Sequence, residues 1–180
     1  MKLQLVNNNA NYLIKGKGEW VKILGQPHPG YTEGDPATAP REWSMDLVLD
    51  ETGQAQAKRL GIGKKVRNKA GKNFLTFRRR EFKGDGHTAN QPIKVVDHHN
   101  NPWDRSKLIG NGSTLNVSFK LFEGKKGPKP VIMAVQVWDH KPYVGKSDFP
   151  VREEENWTDD VKAAGPGAMI TASEDDGEVA

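Results

Sequence analysis

Residues 71–86 read GKNFLTFRRREFKGDG, a strand-length run held between glycines. Side chains alternate across a β-strand, so the run divides into two faces. Leu75, Phe77 and Arg79 share one face, and Phe74, Thr76, Arg78, Arg80 and Phe82 share the other. The first set starts apolar and suits a core, with Arg79 near an end where it can reach solvent. The second set is ring, hydroxyl, cation, cation, ring. A core strand would carry fewer charges, and a solvated strand fewer rings. Spaced rings offer bases a face to stack on, and interleaved guanidiniums meet the phosphates between them. The plainer reading is an exposed strand whose arginines cover two phenylalanines.

The segment before this strand sharpens the choice. Lys58 to Lys83 holds eleven Lys and Arg against one acid, Glu81. Lys64, Lys65, Arg67, Lys69 and Lys72 lie in GIGKKVRNKAGK, read as a flexible basic loop able to close over a threaded nucleic-acid backbone.

Further out, short alternating runs separated by Gly, Pro and Asn read as mainly β. NYLIKGKGEWVKIL (11–24) sets Val21 and Ile23 on one face and Trp20 and Lys22 on the other. GQPHPGYTEGDPATAP (25–40) is too rich in breakers for regular structure. REWSMDLVLDE (41–51) turns Trp43, Met45, Leu47 and Leu49 inward. ETGQAQAKRLG (51–61) predicts the one helix, capped by Thr52 and ended by Gly61. PIKVVD is a short strand, and HHNNPWDRSKLIGNGS a long loop. TLNVSFKLFEG buries Leu115, Val117, Phe119 and Leu121, and PVIMAVQVWDHKPYVG buries Val131, Met133, Val135 and Val137. Five principal strands and one short helix predict an OB-like Greek-key barrel over residues 1–150, with a β-sandwich as the alternative. Apolar periodicity then stops, and residues 151–180 read as a disordered acidic tail.

Charge divides the same way. Residues 1–152 carry 26 Lys and Arg and 14 Asp and Glu, a balance of +12; residues 153–180 carry nine acids and one lysine, a balance of −8. The basic body calls for a polyanion, and the tail for a second partner or a decoy for the first. The 180 residues include no cysteine, which excludes disulfides, thiolate zinc sites and a cysteine nucleophile. No apolar run spans a bilayer, and MKLQLVNNNANY lacks a signal-peptide centre, so a reducing cytoplasm is expected.

Other residues carry weaker signals. Trp20, Lys22 and Trp138 oppose the core faces of their strands and extend the candidate nucleic-acid surface, whereas Trp43 alternates with core residues. Asp97-His98-His99 invites a metal reading, but adjacent histidines on an extended segment diverge, so no metal or cofactor is expected. Asp46, Glu81 and Lys83 loosely resemble a metal-dependent nuclease set, the alternative from the enzyme class. No residue visibly tests for a 2′-hydroxyl, so single-stranded RNA stays open beside single-stranded DNA.

The order of elements resembles the single-stranded DNA-binding proteins of tailed phages. WSMDLVLDE, the helix ending in RLGI, KNFLTFRRREF, LIGNGSTLNVSFKLFEG and VIMAVQVWD carry the resemblance across residues 18–145, with the acidic ending in addition. It implies an OB barrel that coats single strands in replication, recombination and repair, in the host cytoplasm if the protein is viral. It also implies DNA contacts at Lys64, Lys65, Arg67, Lys72, Phe74, Arg78, Arg80 and Phe82. The tail, with Glu174, Asp175, Asp176 and Glu178, would recruit replication proteins such as a polymerase or helicase-primase and compete with DNA for the groove. Some members end in an aromatic residue that docks the tail, whereas this chain ends Val179-Ala180. A homodimer is compatible with this reading.

Overall fold

The computed structural model describes residues 11–144; the expected boundary at 150 and the acidic tail lie outside the described residues. Eight strands and one α-helix follow in order: β1 (Tyr12–Lys22), β2 (His28–Pro29), β3 (Arg41–Val48), α1 (Glu51–Arg59), β4 (Arg67–Lys69), β5 (Lys72–Arg80), β6 (Lys94–Asp97), β7 (Thr114–Gly124) and β8 (Gly127–Asp139). Two single 3₁₀ turns, Pro36–Thr38 and Gly63–Lys65, interrupt the connections.

Five strands close on themselves. β3 pairs with β1, β1 with β7, β7 with β8, β8 with β5, and β5 returns to β3. All pairings in the ring are antiparallel except β5 with β8. This is an OB-like barrel, and its closed ring excludes the sandwich alternative. β2 extends the edge of β3, β4 forms a hairpin with β5, and β6 lies parallel to β8.

The alternation read from sequence holds along β3, β5 and β7. Met45, Leu47, Leu75, Phe77, Leu115, Val117, Phe119 and Leu121 are all buried. Phe77 and Phe119 meet across the barrel with ring centroids 5.2 Å apart, and truncating either would cost roughly 3–5 kcal/mol. Where β1 crosses the barrel, the Val48 backbone and the Leu115 side chain leave no room for side chains at two positions. A Cβ on Gly16 would lie 2.4 Å from the Val48 carbonyl oxygen, and one on Gly18 2.4 Å from Leu115 Cδ1.

Two expectations change. In β8 the buried residues are Pro130, Ile132, Val135 and Val137, whereas Val131 and Met133 are only partly buried. The cause is a bulge: Ser118 pairs with Ala134 but Phe119 pairs with Ile132, so Met133 is an extra residue and the inward phase flips. The helix is capped by Asp50, not Thr52. Asp50 Oδ1 accepts from the Gly53 N–H at 2.8 Å, because the helix begins at Glu51, two residues earlier than a Thr52 cap requires.

Candidate nucleic-acid interface

The outer face of β3 and β5 is set by their register. Glu42 stands opposite Arg80, Ser44 opposite Arg78, Asp46 opposite Thr76 and Val48 opposite Phe74. β1 continues this face, with Lys22 opposite Ser44 and Glu19 opposite Asp46. The basic segment before β5 is not a flexible loop. Lys64 and Lys65 lie in a 3₁₀ turn, and Arg67–Lys69 is strand β4, folded onto β5 through Ala70 and Gly71 at φ 53° and 76°. Two consecutive left-handed residues suit the twist of a tight hairpin, which is why this segment folds back.

The hairpin aims Arg67 at the face. Its guanidinium lies 5.2 Å from the Phe74 ring centroid, and its Nη2 donates to Thr76 Oγ1 at 2.8 Å. Thr76 in turn donates to Asp46 Oδ1 at 2.5 Å. A second contribution comes from the proline-rich connection after β1. Here β2 pairs with the start of β3, and His28 Nε2 sits 2.8 Å from Ser44 Oγ. Trp20 occupies a bulge in β1 at φ 51°, with its backbone N–H donating to Asn111 Oδ1 at 2.9 Å. Left-handed backbone at a bulky residue costs of order 1–3 kcal/mol, and such strain gathers at functional sites. It throws the indole outward, 59% exposed.

Trp20, Lys22, His28, Tyr31, Arg67 and Arg78 thus line one groove of about 270 Å³, over a floor that includes Ser44, Asp46, Thr76 and Glu42. Arg78 Nε lies 3.6 Å from Glu42 Oε1, and Lys72 Nζ 2.6 Å from Glu19 Oε1. Arg80 continues the strand at the far end, and Lys69 stands exposed beside the hairpin tip.

Lys129, which the sequence reading missed, joins this surface from β8. Burial holds its ammonium below the ordinary lysine range; Arg80 lowers it further, Glu42 partly opposes this, and Arg78 and Lys65 push the same way as Arg80. Four cations therefore converge at the β5–β8 seam. In sequence Lys129 belongs to a turn-like GKKGPKP, and nothing there signals the parallel pairing that sets Arg78 against Val131. His28 and Tyr31 were missed because their segment reads only as a loop. On the inner face, Arg79 is half-buried, and desolvation lowers its pKa.

Other candidates stand apart from the groove. Phe82 lies beyond the end of β5, bridged to Ala89 and 42% exposed. Trp138 projects from β8 with Lys15 Nζ 4.8 Å from its ring centroid and its Nε1 donating to Gln136 Oε1 at 2.9 Å. β7 separates it from β1, so it belongs to the β1–β7–β8 side of the barrel. Trp43 is buried and donates to the Gly25 carbonyl at 2.9 Å. Trp103 packs edge-on against His140 with centroids 5.1 Å apart. Glu174, Asp175, Asp176 and Glu178 lie outside the described residues.

The nuclease set is not brought together. Asp46 is tied to Thr76, whereas Glu81 lies just past the end of β5, five residues beyond Thr76 and roughly 16 Å at strand rise, and pairs with Arg41 at 3.9 Å. His98 and His99 do not diverge. They sit in a turn, not an extended segment, with ring centroids 3.9 Å apart. Asp97 spends its carboxylate on the backbone N–H groups of His99 and Asn101 at 2.8 and 2.9 Å. Among the described residues no three His, Asp or Glu side chains are grouped to hold a metal ion.

No protein-family model matches this sequence, and no curated protein matches it by sequence search. Comparison of folds does find similar structures. The crystal structure of gp2.5, a single-stranded DNA binding protein encoded by bacteriophage T7, matches with a TM-score of 0.52 at 17% identity, covering 87% of this chain and 98% of that one. The single-stranded DNA-binding protein from bacteriophage Enc34, in complex with single-stranded DNA, matches with a TM-score of 0.52 at 10% identity, covering 80% and 99%. Its C-terminally truncated form gives 0.52 over 79% and 98%. The barrel of this chain is the fold these phage single-stranded DNA-binding proteins share.

Proposed function

We propose that this protein binds single-stranded DNA with broad sequence tolerance and acts without cutting it. The observation that carries the reading is the groove on the β3–β5 face, where Trp20 and Tyr31 stand among Lys22, Arg67 and Arg78. Likeness of fold to phage proteins that bind single-stranded DNA supports it. Rings supply stacking that any base can use, and the cations neutralise the phosphates on either side. Lys64, Lys65, Lys69, Lys72, Arg80 and Lys129 extend the positive track beyond the groove, and Phe74 adds ring surface beneath Arg67. We further assign the protein to replication, recombination and repair in the host cytoplasm, with its acidic tail recruiting replication proteins and competing for the groove.

The test is a titration of matched single-stranded DNA, single-stranded RNA and duplex DNA at several salt concentrations. Log affinity for the single strand should fall by about 0.7 per neutralised phosphate for each decade of salt. Duplex should bind more weakly, since its paired bases cannot stack on Trp20. A flat salt response, or stronger duplex binding, overturns the proposal. Tighter binding of RNA would move the role to RNA. Recovery of the labelled strand uncut in the presence of Mg²⁺ separates binder from nuclease.

A further inference from the structure

The floor of the groove holds something a surface for phosphates alone would avoid: carboxylates. Glu42 and Asp46 both line it, side by side with the cations. Glu42 is 9% exposed, with Arg78 at 3.6 Å, so its charge is matched within the protein. Asp46 is held differently. Thr76 donates to its Oδ1, and the Thr76 hydroxyl itself accepts from Arg67, which commits the hydroxyl proton to Asp46. The carboxylate is therefore fixed in orientation and remains a pure acceptor, with about four lone-pair sites of which Thr76 takes one. A fixed acceptor beneath exposed rings is poorly suited to a phosphate and well suited to the edge of a base.

We propose that this groove seats one base of the bound strand with its hydrogen-bonding edge on Asp46, and that the subsite favours guanine over thymine. The inference builds on the single-strand reading above and adds a specificity-determining residue to it. Guanine presents two adjacent donors, N1–H and the 2-amino group, which match the two oxygens of a carboxylate. Thymine presents one donor, N3–H, flanked by two carbonyl oxygens whose lone pairs face the carboxylate and are repelled. Cytosine and adenine, each with one amino group beside a ring acceptor, fall between. Trp20 and Tyr31 supply the stacking surface, and the volume of about 270 Å³ takes a single base. Lys22, Arg67 and Arg78 at the rim meet the flanking phosphates, so the bias is superimposed on sequence-tolerant binding.

The experiment compares the full chain on three equal-length oligonucleotides: all thymidine, thymidine with guanine at every third position, and the same with hypoxanthine replacing guanine. Guanine should bind at least about fivefold more tightly than thymidine, the low end for a bidentate pair. Hypoxanthine lacks the 2-amino group and should lose most of that advantage, an arm that needs no protein variant. Asp46→Asn keeps an acceptor for Thr76 and adds a donor, so it should erase the preference for guanine. Equal affinity for all three oligonucleotides, or a guanine preference that survives in Asp46→Asn, overturns the inference and leaves single-strand binding standing. Failure to bind any of them at low salt overturns the single-strand reading, and this inference with it.

Discussion

Trp20 and Lys129 show how much a single residue can contribute when its surroundings work against it. Trp20 holds a left-handed backbone at φ 51° with its indole 59% exposed, an arrangement that lowers stability and leaves a ring available for stacking. Trp20→Ala should therefore weaken single-strand binding by roughly 1–3 kcal/mol while the salt slope is kept, because a stack is lost and no charge. Fluorescence titration across salt concentrations checks both. Lys129 is the reverse case, a cation held near Arg80, Arg78 and Lys65 and partly desolvated. Its pKa is depressed in the folded protein, so between that value and the ordinary lysine range the unfolded chain binds more protons and stability rises with pH. The penalty is fully present below that depressed value and fades as pH rises through it. Lys129→Met keeps the stem and removes the charge, so it should raise Tm at pH 7 and also weaken DNA binding with a shallower salt slope. A lowered Tm would show that the ammonium stabilises the free protein.

At the scale of elements, the β4–β5 hairpin decides whether the basic segment is a loop or a tool. β4 has only three paired residues, all exposed, so it is held mainly by its turn. Gly71→Val places a β-branched residue at φ 76° in open space, so the backbone alone bears the strain, at roughly 1–2 kcal/mol. That is enough to open so short a hairpin while the barrel stays closed. Binding should weaken and the salt slope shrink as Arg67 and Lys69 lose their positions, with little change in Tm. A large fall in Tm would mean the hairpin is integral to the barrel. Sequence alone showed the cations here but not the hairpin, since Ala70 at φ 53° is not a residue that announces a left-handed turn. Strands β3, β5 and β7 were legible because unbroken alternation maps directly onto burial. β8 was half legible: a bulge at Met133 adds one residue, and every side chain before it changes face.

For the whole molecule, closure of the ring was legible only as a class, because the parallel β5–β8 pairing joins segments far apart in the chain. The grouping of Lys129 with Arg78 and Arg80 follows from that closure and was invisible for the same reason. Charge at this scale is plain from sequence, and it carries the last prediction. Removing residues 153–180 takes away nine acids and one lysine and moves formal net charge from +4 to +12. The described strands and helix all belong to the unit that ends at Val144, so the truncated barrel should remain folded, with an unchanged far-ultraviolet circular dichroism signal for its strands. A tethered polyanion reaches an effective concentration that can be millimolar, enough to compete with a weak or short ligand for Arg67, Arg78 and the β5–β8 cations. A long single strand displaces it by adding stacking to charge. Deletion should therefore tighten binding most at low salt, where competition between two anions for one cationic groove is strongest. Raising the salt should bring full-length and truncated proteins together. Equal affinities at low salt would show that the acids do not occupy the groove and serve a partner or solubility instead.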